Sequence, residues 1–168
     1  SGQRYTEADM RKHLADIIFG VYSFGLTDQV IIEERVEQHD ELTQLSPFGL
    51  TDVRVISYLD EPVLAMLRGP TRDSDGKANL HQGAIGVGVD LVQGRTLNGV
   101  WHEDLVEQHP DSGHTIRGLE IPYWQEIMLL SVRCKELVSL DYIGVDIVLD
   151  SRLGPLMLEI NARPGLNI

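Results

Sequence analysis

The chain has 168 residues, 42% of them hydrophobic, which suits one domain able to bury a sizeable core. Its formal net charge is -12; this excludes nucleic acid as the main partner, because phosphate backbones are held by clustered Lys and Arg, yet leaves room for a nucleotide that arrives with its own Mg²⁺. No apolar run approaches the ~18 residues of a membrane span, the N-terminus has no stretch of signal-peptide type, and the single cysteine, Cys134, cannot close an internal disulfide, so a reducing, cytoplasmic setting is expected.

In chain order, Thr6 and Asp9 resemble a capping box with Asp in place of Glu. Leu14, Ile17, Ile18 and Val21 follow at helical spacing, which predicts an amphipathic helix over 7–24 stopped by Gly25. Residues 29–36 are β-rich, with Val30, Ile31 and Ile32 consecutive, and predict a strand buried on both faces. Residues 37–51 are polar and predict a loop. Residues 52–58 and 62–68 flank the turn candidate Asp60-Glu61 and predict a hairpin. After a polar loop over 69–80, residues 85–92 and 95–101 predict a second hairpin around Gln93-Gly94. Residues 102–118 carry no periodic pattern. Pro122 opens a long helix with the stripe Ile127, Leu130, Cys134 and Leu137. Residues 142–149 and 155–160 predict two strands joined by a tight turn. The expected fold class is α+β, a mainly antiparallel sheet with flanking helices in a single domain over 1–168.

The densest chemistry lies near the C-terminal end. Asp146 sits in the run Gly144-Val145-Asp146-Ile147-Val148, and Glu159 and Asn161 sit in the next one. Glu159 and Asn161 are two apart on a strand and share a face; Asp146 can pair across from them. Their neighbours Val145, Ile147, Leu158 and Ile160 are apolar, so the carboxylates are costly unless something neutralises them. Hard oxygen donors of this kind suit Mg²⁺ or Mn²⁺ beside phosphates, although ordinary ion pairs at strand ends explain the same residues without a ligand. His81, His102, His109 and His114 fit no closed zinc spacing. Gly83, Gly86 and Gly88 lack the setting of a dinucleotide fingerprint and read as a strand crossing close to another backbone.

The stretch Gly144-Val145-Asp146-Ile147, followed by Leu158-Glu159-Ile160-Asn161-Ala162-Arg163-Pro164-Gly165, resembles the closing motif of ATP-grasp enzymes. The similarity runs from about Gln29 to the end and, within that superfamily, is to RimK-type glutamate ligases and alpha-L-glutamate ligase-related proteins. It implies an ATP-grasp-like lobe in which Asp146, Glu159 and Asn161 hold Mg²⁺ against the ATP phosphates. Ile31-Ile32-Glu33-Glu34-Arg35-Val36 resembles the hinge strand, which implies that Glu33, Glu34, Arg35 and Val36 receive adenine and ribose. Asp52-Val53-Arg54 resembles an Asp-Ile-Arg element whose arginine lies near the transferred phosphate. Lys77-Ala78-Asn79-Leu80-His81-Gln82-Gly83 resembles an Arg-Ser-Asn-Leu-His-Arg-Gly stretch near the phosphates and the acceptor. That gives Lys77 a catalytic role, Asn79 a nucleotide contact and His81 a substrate contact. Arg163 stands where those ligases have a small residue, and Lys77 and Gln82 where they have arginine; Arg163 joins His81 as a substrate-binding candidate.

The implied activity is that of an ATP-dependent carboxylate–amine ligase acting through an acyl phosphate, its partners being ATP, a carboxylate and an amine such as an amino acid or peptide. Each match has a plainer counterpart: a charged strand end for Glu33-Glu34, an exposed strand or loop position for Arg54 and Lys77, turn chemistry for Asn79, a packed ring for His81, a surface ion pair for Arg163. The superfamily's other lobe brings two lysines and a glycine-rich loop, whereas Lys12 is the only lysine before the hinge-like run. The chain therefore reads as a truncated domain with its N-terminal lobe largely absent, binding ATP weakly and turning over little or not at all on its own, with a sheet edge open to self-association. The alternatives from other classes are a non-catalytic nucleotide-binding or interaction module and a structural domain without ligand.

Overall fold

The alternation read in the hairpins becomes one seven-stranded antiparallel sheet. The computed structural model describes residues 5–165 and divides into two units, Ser1–Arg35 and Val36–Ile168. In the first unit, α1 (Glu7–Ile18) opens with the expected capping box: Asp9 N donates to Thr6 Oγ1 (3.2 Å) and Thr6 N to Asp9 Oδ2 (2.8 Å). The helix ends earlier than the pattern suggested. Gly20 adopts a left-handed φ of 75°, and the amides of Gly20 and Val21 fold back onto Ile17 O and Asp16 O, a Schellman ending. The expected strand over 29–36 does not form. Ile31 and Ile32 are 83% and 82% exposed, and among the described residues no strand pairs with this run. An apolar run specifies burial but not a partner, and a ladder needs one.

The second unit holds α2 (Asp40–Leu45), β1 (Asp52–Tyr58), β2 (Glu61–Gly69), a 3₁₀ turn (Leu80–Gln82), β3 (Ile85–Val89), β4 (Thr96–Trp101), β5 (Asp104–Val106), α3 (Trp124–Lys135), β6 (Tyr142–Asp150) and β7 (Gly154–Asn161). Strand order is β5-β4-β3-β2-β1-β6-β7. Two elements were invisible to periodicity: α2, one and a half turns within the expected loop, and β5, three residues within the patternless stretch. Both are too short to show a period. In α3, Ile127 and Cys134 of the expected stripe are buried, but Leu137 is 70% exposed, past the helix end.

Val53 and Val55 of β1, Ala65 and Leu67 of β2, and Ile85 and Val87 of β3 point to one face, as do Ile143, Val145, Ile147 and Leu149 of β6. There they meet α3, with Leu42 and Leu45 of α2 in the same core. Each fully buried side chain of this size contributes about 1.5–3 kcal/mol. Trp124 enters this core because Gly94, at a φ of 67°, has no side chain: a Cβ there would stand 2.4 Å from Trp124 Cγ. Among the described residues no helix is long and apolar enough to cross a membrane.

Candidate functional site

With one face of the sheet committed to the core, alternation turns the intervening residues to the other face. Two rows of cross-strand partners run across it. One is Glu159 (β7), Asp146 (β6), Arg54 (β1), Met66 (β2) and Gly88 (β3); the next is Val148, Asp52, Arg68, Gly86 and Val100. A β-bulge makes the first row possible. From Gly154 to Met157, β7 pairs regularly with β6, but the register then shifts, so Asp146 faces Glu159 and not Leu158. Without the extra residue, Glu159 would fall opposite Val145, on the core side.

Four charges form a chain of ion pairs on this face. Arg54 donates Nε–H to Asp146 Oδ1 and Nη2–H to Asp146 Oδ2, both at 2.7 Å. Arg68 makes the same forked pair with Asp52 at 2.6 Å and reaches Asp146 Oδ2 at 2.7 Å. Asp52, Arg68 and Asp146 are buried and Arg54 is half-buried. Burial acts to raise the Asp146 carboxyl, but Arg54 and Arg68 outweigh it and hold the group below the ordinary carboxylate range. Asp52 shares Arg68 with Asp146, and burial pushes it up to about 6. Burial also opposes the charge on Arg68, and Asp52 and Asp146 overcome that.

These four side chains line a pocket of about 460 Å³ with Glu159 on one side and Asn79 and His81 of the 3₁₀ turn on another. Asn79 Oδ1 accepts from His81 N (3.0 Å), fixing that turn. Asn161 Nδ2 donates to Glu159 Oε1 (3.2 Å) and, at 3.4 Å, to Asp146 Oδ2. Behind it, a Cβ on Gly144 would stand 2.6 Å from Pro164, so the glycine seats the proline, while Tyr142 Oη donates to Pro164 O (3.1 Å).

Of the sequence candidates, Arg54, Asn79, His81, Asp146 and Glu159 thus converge on one pocket, with Asn161 joined to its two carboxylates. Lys77 and Arg163 are exposed and do not line it. Glu33, Glu34 and Arg35 belong to the first unit, on exposed backbone without regular structure; Val36 opens the second unit, half-buried. Asp52 and Arg68 escaped notice as functional residues: a register shift between Ile56 and Ser57 sets them opposite each other, where a regular count outward from the β1–β2 turn would pair Asp52 with Leu67.

No group of three or more His, Cys, Asp or Glu among the described residues converges as a metal cluster. The donor set is instead two carboxylates and an amide. Asp146 Oδ1 takes one hydrogen bond among the described residues, leaving a lone pair; Glu159 is exposed; the Asn161 amide lies against both. The two carboxylates so placed fit Mg²⁺ or Mn²⁺, which take few protein ligands beside phosphates; Asn161 turns its Nδ2–H towards them and would ligate through Oδ1 only with its amide turned over.

The antiparallel sheet with its few helices is that of an ATP-grasp-like lobe. The family model described as sugar-transfer associated ATP-grasp matches residues 1–168, the whole chain, and the chain belongs to that family. ATP-grasp domains are ATP-dependent and ligase-like in activity. No curated protein matches the chain.

Proposed function

We propose that this chain carries the phosphoryl-binding face of an ATP-dependent carboxylate–amine ligase, similar to the RimK-type glutamate ligases. The observation that supports it is the row Glu159, Asp146, Arg54, with Arg68 beside it: two carboxylates for a cation next to two guanidiniums for a phosphoryl group. In the reaction, a substrate carboxylate oxygen attacks the γ-phosphorus, the bond to the β–γ bridging oxygen breaks, and ADP leaves with the electron pair. The amine nitrogen then attacks the acyl carbon; the carbon–oxygen bond to phosphate breaks and the nitrogen loses a proton.

Asp146, Glu159 and Asn161 would hold Mg²⁺ or Mn²⁺, which neutralises phosphate charge when bound. Arg54 and Arg68 position the phosphoryl group, and the Asp52 pair keeps the Arg68 fork from swinging. His81 stands at the pocket wall to orient a substrate group. The protein's part is positioning and charge stabilisation and not covalent chemistry. The test is hydroxylamine trapping with a panel of carboxylates, in the protein as the cell makes it. ATP-dependent hydroxamate with matching ADP release is expected. Nucleotide binding without ADP release for any carboxylate–amine pair contradicts the ligase reading and favours a non-catalytic nucleotide module.

A further inference from the structure

A second cavity, of about 760 Å³, adjoins the charged pocket and shares His81 with it. Leu80, Ala84, Leu97 and Val100 wall it, Gly86 and Gly88 line its β3 side, and Asn98, His102 and Arg117 supply its polar groups. The glycines continue the two rows of the charged site: Gly86 is the partner of Arg68, and Gly88 is the partner of Met66, itself the partner of Arg54. Strands favour β-branched residues at such positions, and glycine weakens them.

Close backbone approach, the sequence expectation, does not explain the two glycines. A Cβ on Gly88 would meet first Leu97 Cδ1 at 3.6 Å, and one on Gly86 would meet Leu80 Cδ2 at 3.2 Å. Both neighbours are side chains of the cavity wall: Leu80 packs into the place a side chain at Gly86 would take, and the open apolar trough lies over Gly88. Asn98 Oδ1 is buried there and, among the described residues, takes no donor.

We infer that the trough seats the body of the carboxylate substrate, an acid with an apolar chain, its carboxylate beside His81 and the two arginines. This rests on the ligase reading of the charged pocket. Strand order sets Glu159 and Asp146 on one side of the guanidiniums and the trough on the other. A phosphoryl group passing from the cation side to a carboxylate leaves the organic body of that acid on the trough side. From Arg54 to Gly88 is two interstrand steps, about 10 Å, the reach of a short carbon chain. A second carboxylate, as in glutamate, loses solvation against these apolar walls.

Calorimetry and amide NMR with 4-methylpentanoate, acetate and L-glutamate as probes, with and without Mg-ATP, test this. An apolar pocket discriminates by roughly tenfold or more per methylene. 4-Methylpentanoate is therefore expected to bind at least roughly tenfold more tightly than either other acid and to shift the amides of Gly86, Gly88 and Asn98. Gly88→Val fills the trough at ordinary contact distance and is expected to remove most of that affinity while Mg-ATP still shifts the amides around Glu159. Leu97→Phe, on the exposed wall, is a second filling variant with the same expectation. Glutamate binding as well as 4-methylpentanoate, or both filled variants retaining the affinity, overturns the inference while leaving the nucleotide site standing. A trough that fills normally in a protein where Mg-ATP shifts nothing near Glu159 overturns the ligase reading and leaves a carboxylate-binding trough.

Discussion

The two faces of the sheet are built from the same strands, one residue out of step, and they follow opposite rules. On the core face, Val53, Val55, Leu67, Val145 and Ile147 have no polar atoms to satisfy and are held by packing alone. On the other face, buried Ile56, Met66 and Val148 surround Asp52, Arg54, Arg68 and Asp146, which tolerate burial only as a set. A core position depends on volume; a position in the charged network depends on every other member being present.

The largest way to break the comparison is Arg68→Met. It keeps volume but strips Asp52 of its forked partner and Asp146 of one of two. Removing one side of a buried pair costs about 3–5 kcal/mol. Asp52→Asn added to it should recover part of that loss, giving clear coupling in a double-mutant cycle read by denaturant unfolding. Leu67→Ala, on the core face, is expected to cost about 2–5 kcal/mol through cavity formation and to show no coupling to Asp52→Asn.

The pH dependence sharpens the contrast within the network itself. The folded-state pKa of Asp52 is raised from 3.8 to about 6, so the folded chain takes up this proton before the unfolded chain does. That makes stability rise as pH falls from above 6 towards 3.8, and the gain should vanish in Asp52→Asn. Asp146 is lowered and has the opposite sign: its contribution is present above 3.8 and is lost as pH falls through its folded value. Thermal unfolding at a series of pH values checks both. The smallest effect belongs to Gly88→Val. It fills space at ordinary contact distance and should change stability by no more than about 0.5 kcal/mol.

The core face was legible because alternation is a local signal: the β1–β2 hairpin and the β6–β7 pair were readable from periodicity, and with them the apolar half of the sheet. The charged face was legible only in part. Asp146 and Glu159 stood out as acids among aliphatics, but their pairing depends on a bulge at Leu158 that no pattern announces. Arg68 looked like a strand end until the hairpin register set it against Asp52. The run over 29–36 has strand composition yet forms none, since composition carries no information about a partner. The trough was misread because glycines in a strand have two causes, close backbone approach or a space left for something else, and only coordinates separate them.

The central claim is that Glu159 and Asp146 hold the cation of a bound nucleotide. Glu159→Gln tests it most directly, because that side chain is exposed and the buried network is untouched. Thermal stability would be measured for the wild type and this variant with ATP, with and without Mg²⁺. At a hundredfold excess over its dissociation constant, Mg-ATP should stabilise the wild type by about 2.7 kcal/mol, only with the metal present, and the variant far less. An equal shift in both proteins, or none in the wild type, would contradict the account.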